Sequence, residues 1–323
     1  MTGELVSLSP MQTLGIPIAL IGAVFLAVGA ELQHRGVNKV DAATTGNAKS
    51  GLSVRQLFAL LRRPSWVIGS LMLGLAIVFQ LVSLYLAPLT VVQPLGAIAL
   101  VITAIVNARV TKTRLTRGTI RSIAFCVGGI ALFVTAAALT TSTLPISETQ
   151  LVIVLIILAA VLLIVATVFV LFRTRATAIF YIVGAGILFG FVATLAKVVI
   201  ERVQTLFIGG FHITTGDWLT VLCIGGLITA GLAGTYFVQT AYSSGPPDLV
   251  VAGLTVIDPM VGVTIGIVVL GEAASAPWWA AIVFVVAGGL AVYGVIQLSR
   301  RTTDLSAHAT AKTTPAADKP ATN

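Results

Sequence analysis

Charge is the first scarcity in this chain. Of 323 residues only 9% are Asp, Glu, Lys or Arg, against 57% hydrophobic residues, and a soluble domain needs about 25% charge to cover its surface. Mean hydropathy is +1.05. Cysteine is nearly absent: Cys126 and Cys223 both fall inside apolar stretches, which rules out a disulfide framework and a thiolate metal set. The three histidines, His34, His212 and His308, lie scattered through loops and tail with no metal-ligand spacing. Neither a Ser-His-Asp nor a Cys-His set assembles, and no glycine follows a strand as a phosphate loop requires, so the chain is not expected to be an enzyme and no cofactor is expected. The first twelve residues hold Glu4 and no Lys or Arg. A positive leader region is therefore missing, and the first apolar run is expected to be a retained helix.

What is present is apolar runs of membrane-spanning length. Nine occur, at 13–33, 65–86, 88–109, 118–139, 150–172, 177–200, 217–241, 247–271 and 277–298. Each holds about 20 residues, enough to cross ~30 Å of hydrocarbon at 1.5 Å per residue. Inside a bilayer each backbone amide must pair within the protein, so such runs fold as helices. The alternation of a barrel strand is nowhere seen. The expected class is all-α, a polytopic membrane protein.

Loop charge sets the expected orientation. Arg35, Lys39, Lys49, Arg55, Arg62 and Arg63 follow run 1, Arg109, Lys112, Arg114 and Arg117 follow run 3, Arg173 and Arg175 follow run 5, and Arg300-Arg301 open the tail. The alternate loops are nearly free of Lys and Arg, save for Arg202 after run 6. Retention of positive charge inside places the N-terminus outside and the C-terminus in the cytoplasm, consistent with an odd number of spans in a plasma (inner) membrane. The +8 net charge is thereby a matter of topology, and nucleic acid is not an expected partner. The bilayer is one, and a homodimer is left open. The small, polar residues 41–53 are expected to be a mobile loop, and the Ala/Thr/Pro/Lys-rich tail 299–323 to be disordered.

The two halves echo each other. At a shift of 159 residues Gln80 meets Gln239, Pro88 meets Pro247, Val91-Val92 meet Val250-Val251 and Gly129 meets Gly288. At a slightly different shift Gly22-Ala23 meet Gly184-Ala185 and Arg35 meets Lys197. Runs 1–4 (13–139) thus pair with runs 6–9 (177–298), after an extracytoplasmic 1–12 and with run 5 linking them over 140–176. An offset of five spans inverts the second copy, which is a transporter architecture with its site near the midplane.

The segment Tyr85-Leu86-Ala87-Pro88-Leu89-Thr90-Val91-Val92-Gln93-Pro94-Leu95-Gly96-Ala97, with Leu61-Arg62-Arg63-Pro64-Ser65-Trp66 before it, resembles the NIPA-type magnesium transporter branch of the drug/metabolite transporter superfamily. The second half, with Pro259 interrupting run 8, Gly271-Glu272 closing it and Gly288-Gly289 in the last span, resembles the EamA-type branch. Lys112 is followed by Thr113 where the NIPA pattern usually has an acidic residue, and Asp258 is not part of that pattern. The resemblance implies a secondary transporter working by alternating access. Its cargo is a small metabolite or drug, with proton coupling as one option, or alternatively Mg²⁺ or another divalent cation.

Asp258 is the sharpest site candidate. It lies about eleven residues into run 8, roughly 16 Å deep, where a charge costs at least ~2.5–3.5 kcal/mol. It is either a proton- or cation-coupling group, and the metal contact if a cation is bound, or a neutral carboxyl hydrogen-bonded to Thr255 or a neighbouring helix. Pro259 beside it lacks an N–H and frees a carbonyl one turn earlier. Gln80, Gln93 and Gln239 are polar groups in apolar spans, either interhelical glue or site residues. Lys197 is deep in run 6, with Glu201 on the same face for an ordinary i,i+4 pair or a stem long enough to snorkel outward. Glu31 reads as an interfacial charge or a gate near His34 and Arg35, and Glu272 as solvated at the end of run 8. The rivals to a carrier are a membrane scaffold, in which these polar groups would face lipid or a dry seam, and a lipid-linked-substrate flippase, which needs a lateral opening with a base such as Lys197 inside it.

Overall fold

The computed structural model describes residues 10–41, 61–110, 115–143, 145–172, 177–209, 217–245 and 247–313. Among them there is no strand, and ten helices form nine spans long and apolar enough to cross a membrane. These are α1 (Pro10–Asp41), α2 (Pro64–Leu86), α3 (Leu89–Gly96), α4 (Ile98–Val110), α5 (Arg117–Thr140), α6 (Glu148–Phe172), α7 (Ala178–Gly209), α8 (Asp217–Ser244), α9 (Pro247–Val268) and α10 (Trp278–Thr313). Local chemistry sets several boundaries. Pro64 opens α2 and Pro88 precedes α3, where a missing N–H costs nothing. The Thr116 hydroxyl accepts from the Thr119 N–H at 3.2 Å and starts α5.

The third apolar run, expected to be one helix, is two. Helix α3 holds Pro94, which leaves the Thr90 carbonyl without its helical donor. At Ala97 the chain tightens, with the Ala97 N–H on the Pro94 carbonyl and the Leu100 N–H on the Ala97 carbonyl, both at 3.2 Å. Run 8 shows the reverse of what its proline suggests: α9 continues through Pro259 without a break. Gly96, two residues after Pro94, lowers helix cohesion at the break, while α9 carries Gly262 three residues after Pro259 and still continues.

The last helix also runs further than expected. It continues to Thr313, into the tail read as disordered from 299. A formed span needs no new nucleus to extend, so the helix continues although the Thr-containing sequence after Arg301 has only modest helix propensity. Residues 314–323, and most of the loop expected to be mobile at 41–53, lie outside the described residues.

Lipid is as apolar as leucine, so helices in a bilayer associate through small residues that let backbones approach. Helix α1 packs on α2 and α4, α7 on α8 and α9, α3 on α9, and α5 on α10. Glycines lie in several of these seams. A Cβ on Gly69 of α2 would stand 2.6 Å from the Gln33 nitrogen and 2.7 Å from the Gly29 carbonyl of α1. On α7, Cβ atoms at Gly186 and Gly190 would reach Ile257 and Val261 of α9, at 2.7 Å in each case. Gly129 of α5 lies against the Ala291 backbone of α10, and Gly294 of α10 against that of Cys126. Helix α6, the expected linker between halves, packs chiefly on α8 and turns Leu163, Val170 and Leu171 outward.

The α5–α10 seam gives a direct test. Gly129→Leu pushes against backbone that cannot yield and is expected to cost about 1–3 kcal/mol of stability. Gly128→Leu beside it enters open space and should leave the unfolding midpoint in detergent nearly unchanged. Equal effects of the two would contradict this packing.

Candidate transport site

Helix α2 ends at Leu86 and α3 starts at Leu89, joined only by Ala87 and Pro88. Pro88 stands at the N-cap of α3 and has no side chain to accept from the first N–H groups. The acceptor arrives from far along the chain. Glu272, 2% exposed, takes the Leu89 N–H on Oε1 at 2.7 Å, the Thr90 N–H on Oε2 at 2.8 Å and the Thr90 hydroxyl on Oε2 at 2.6 Å. Its own position depends on two glycines. Gly271 turns the chain with a φ of 71°, open at little cost only to glycine. Gly266 leaves room for the carboxylate, since a Cβ there would stand 2.9 Å from Oε2. The Glu272 N–H then reaches the Gly266 carbonyl, and the Ser142 N–H reaches the Glu272 carbonyl, both at 3.0 Å. Gln150 of α6 donates to the carbonyls of Val269 and Leu270 at 3.1 Å, closing the end of α9.

Lys197 completes this cluster. Its ammonium, 1% exposed, donates to the carbonyls of Ala87 at 3.0 Å and Leu84 at 3.4 Å, at the end of α2. It stands 3.6 Å from Glu272 Oε1 and 3.7 Å from Glu201 Oε1. A cation thus lies on the C-terminal end of α2 and an anion on the N-terminal end of α3, the sign each helix dipole favours. The expected Lys197–Glu201 pair is present, but the side chain does not snorkel to an interface. Glu272, read as solvated, is buried. Beyond the cluster Arg202 pairs with Glu148 at 3.6 Å, and Gln204 donates to the Tyr85 hydroxyl at 2.7 Å.

A second polar place lies where α3 and α7 meet α9. Asp258 sits in the α9 face packed on α7, its backbone nitrogen and carbonyl 3.5 and 3.2 Å from where Cβ atoms of Gly186 and Gly190 would be. One turn on, Gly262 is bare, and Gln93 of α3 lies over it. Among the described residues Asp258 Oδ1 and Gln93 Nε2 are buried without a hydrogen-bond partner. The Thr255 hydroxyl does not serve Asp258; it donates to the Val251 carbonyl at 2.7 Å. Next to this place, at the break between α3 and α4, lies a cavity of about 90 Å³ lined by Pro94, Ala97, Phe133, Thr255, Pro259 and Val292 among others. Its walls come from the third span (α3 and the Ala97 break), α5, α9 and α10. They are apolar apart from Thr255. Asp258 and Gln93 border it through Pro259 and Pro94 and do not line it.

The other candidates are not gathered here. Gln80 is half-buried on α2 beside Gly22 of α1, whereas Gln239 is exposed on α8, so the two do not face each other. Glu31 accepts from Arg35 Nε at 2.8 Å, an i,i+4 pair at the opposite end of the bundle. Among the described residues no three His, Cys, Asp or Glu side chains cluster as a metal site. Sequence reasoning missed the Glu272 cap, whose partners are more than 180 residues away. Its one available signal was an acidic residue directly after a span-ending glycine.

The sequence model for the NIPA magnesium transporters (Magnesium transporter NIPA) matches residues 11–251. Asp258 and Glu272 lie beyond the matched stretch. An uncharacterized protein of Corynebacterium glutamicum is 25% identical over 292 residues, covering 90% of this chain and 96% of that protein. No solved structure matches.

Removing the carboxylate by Glu272→Ala strips two backbone N–H groups of their acceptor and leaves Lys197 short of an anion. The expected loss is about 3–5 kcal/mol, as for breaking a buried pair from one side. Thr90→Val, which deletes one hydrogen bond, should cost about 1 kcal/mol. Thermal unfolding in detergent reads both, and similar small shifts would mean that the carboxylate does not hold α3 in place.

Proposed function

The chain belongs to the NIPA magnesium transporter family, and on that premise we propose that it carries Mg²⁺ or a related divalent cation across the plasma membrane by alternating access. The family and the nine apolar spans among the described residues make it a multi-pass membrane transporter. The observation that carries the cargo reading is Asp258: a carboxylate within a span, with one oxygen buried and unpartnered. A carboxylate so placed calls for a counter-ion, because charge at membrane depth is expensive. Mg²⁺ keeps several waters and needs only one or two carboxylates plus neutral oxygens. The amide oxygen of Gln93 and the Thr255 carbonyl, which Pro259 deprives of its helical donor, are the neutral oxygens at hand.

Alternating access is supported by how the spans pair. Helix α1 packs on α2 and on the third span, while α7 packs on α8 and α9, and α5 packs on α10. This is the pattern that two inverted four-span repeats would give. Positive-inside charge supports an outer N-terminus, a cytoplasmic C-terminus, and an outer position for the Lys197–Glu272 cluster. Lys197 is enclosed by carbonyls and carboxylates, which counts against a flippase that would present it to a lateral opening.

A second reading has its own observation. The cavity at the α3–α4 break is apolar and suits part of a small organic molecule, with Asp258 then coupling transport to a proton.

Purified protein in liposomes loaded with a Mg²⁺-sensitive dye separates these. Mg²⁺ entry is expected for the wild type and should fall to the empty-liposome background in folded Asp258→Asn. Proton movement driven by small organic compounds, with no Mg²⁺ entry, would sink the cation reading in favour of the second. Reporter fusions check orientation: a cytoplasm-active reporter after Arg301 is expected to be active, and activity only of a periplasm-dependent one would reverse the topology.

A further inference from the structure

We infer that Lys197, Glu272 and Thr90 form a latch that closes one end of the transport path, and that the path opens at that end only when Glu272 leaves the start of α3. The inference rests on the carrier reading. Three observations support it. The latch joins opposite halves of the chain: Leu84, Ala87, Leu89 and Thr90 come from the first, Lys197 and Glu272 from the second. It is held at the head of α3, the short half-helix that runs from the latch to the break at Ala97, about 12 Å away at the helical rise. The cavity opens at that break, so a movement of α3 relative to α9 changes the latch and the cavity together. At the opposite end the ion pair Glu31–Arg35 lies within one helix, and Gln33 donates to Ser70 within the first half. Among the described residues the ionic tie between the halves is thus at the Lys197 end, with glycines at 262 and 266 leaving α3 free to move along α9 once released.

The groups suit a device that must let go. Glu272 is held by backbone and hydroxyl donors at 2.6–2.8 Å, while Lys197 stands 3.6 Å from it, with Glu201 at 3.7 Å as a ready alternative anion on its own helix. When the halves part, Lys197 keeps Glu201, so no unpaired cation is left in the bilayer. Glu272, in the turn after α9, moves toward water.

The test reads conformation rather than transport. Ala97→Cys, on a background of Cys126→Ala and Cys223→Ala, places a thiol in the cavity. Membrane vesicles of each sidedness are treated with an impermeant maleimide. From the face bearing the α2–α3 turn, labelling of the parent should be slow. Lys197→Met and Glu272→Gln should each raise the rate by about tenfold or more, as expected for a closed state losing its main tie. If either charge variant fails to extract folded, Thr90→Val, which keeps the ion pair and removes one bond, should raise the rate to a smaller extent. Faster labelling supports the latch whether or not the parent moves Mg²⁺; a parent that moves nothing overturns the carrier reading alone. Unchanged rates in folded variants, or a parent already labelled fast from that face, would overturn the latch and leave the cluster a static tie.

Discussion

In hydrocarbon no water is available to a backbone N–H or C=O, and every other feature of this molecule answers to that. It makes the spans helical. It also makes each interruption of a span an obligation, because a helix end exposes several unpaired groups. The third span is entered through the Ala87-Pro88 turn and interrupted once, at Ala97. The turn is closed by Lys197 on the carbonyls of Leu84 and Ala87 and Glu272 on the N–H groups of α3. The cluster is therefore backbone satisfaction carried out by ionised side chains, and its charges neutralise each other because each was recruited by the opposite end of a helix.

A buried ion pair alone is poor evidence of stability, since desolvating two charges can exceed their attraction. Here the geometry shifts the balance. Glu272 accepts three hydrogen bonds and Lys197 donates two, and bonds to charged groups are the stronger class. Replacing both residues by apolar ones would not free the molecule of cost, for the helix ends would remain. The cluster thus fixes which segments meet, with specificity as its chief product. The glycine seams complement it: they set how closely α7, α9 and α3 approach without directional bonds, so they permit sliding where the cluster forbids it.

The spans were legible in the sequence because twenty apolar residues in a row have few alternatives, and most helix ends match the predicted runs closely; the exceptions are α1, α7 and α10, which run on past Gln33, Ile200 and Leu298, and α9, which stops at Val268 short of Gly271. The Lys197–Glu201 pair was legible because it is local. What could not be read was anything requiring two distant segments. Glu272 at the end of an apolar run has the sequence appearance of an interfacial charge, and only its contact with Leu89 and Thr90 makes it a buried cap. The same holds for the prolines. Pro94 and Pro259 look alike in sequence, each after a polar residue and shortly before a glycine, yet one helix breaks and the other continues. Gln80 and Gln239 matched at equivalent positions but do not meet, because matched positions in a repeat share an environment only if the spans bearing them turn the same face inward.

The two polar places differ in a way that separates their roles. At Glu272 both carboxylate oxygens are engaged by the protein, so a ligand could bind there only by displacing a helix end. At Asp258 and Gln93 bonding capacity is left over: Oδ1 and Nε2 are buried and unmatched. Evolution and folding tolerate such groups poorly unless something fills them part of the time. A binding site must keep unused capacity in its empty form, whereas a gate must be complete when shut. Asp258 and Gln93 have the first property and the Lys197–Glu272 cluster the second, and the half-helix α3 connects them, carrying Thr90 at one end and Gln93 one turn below.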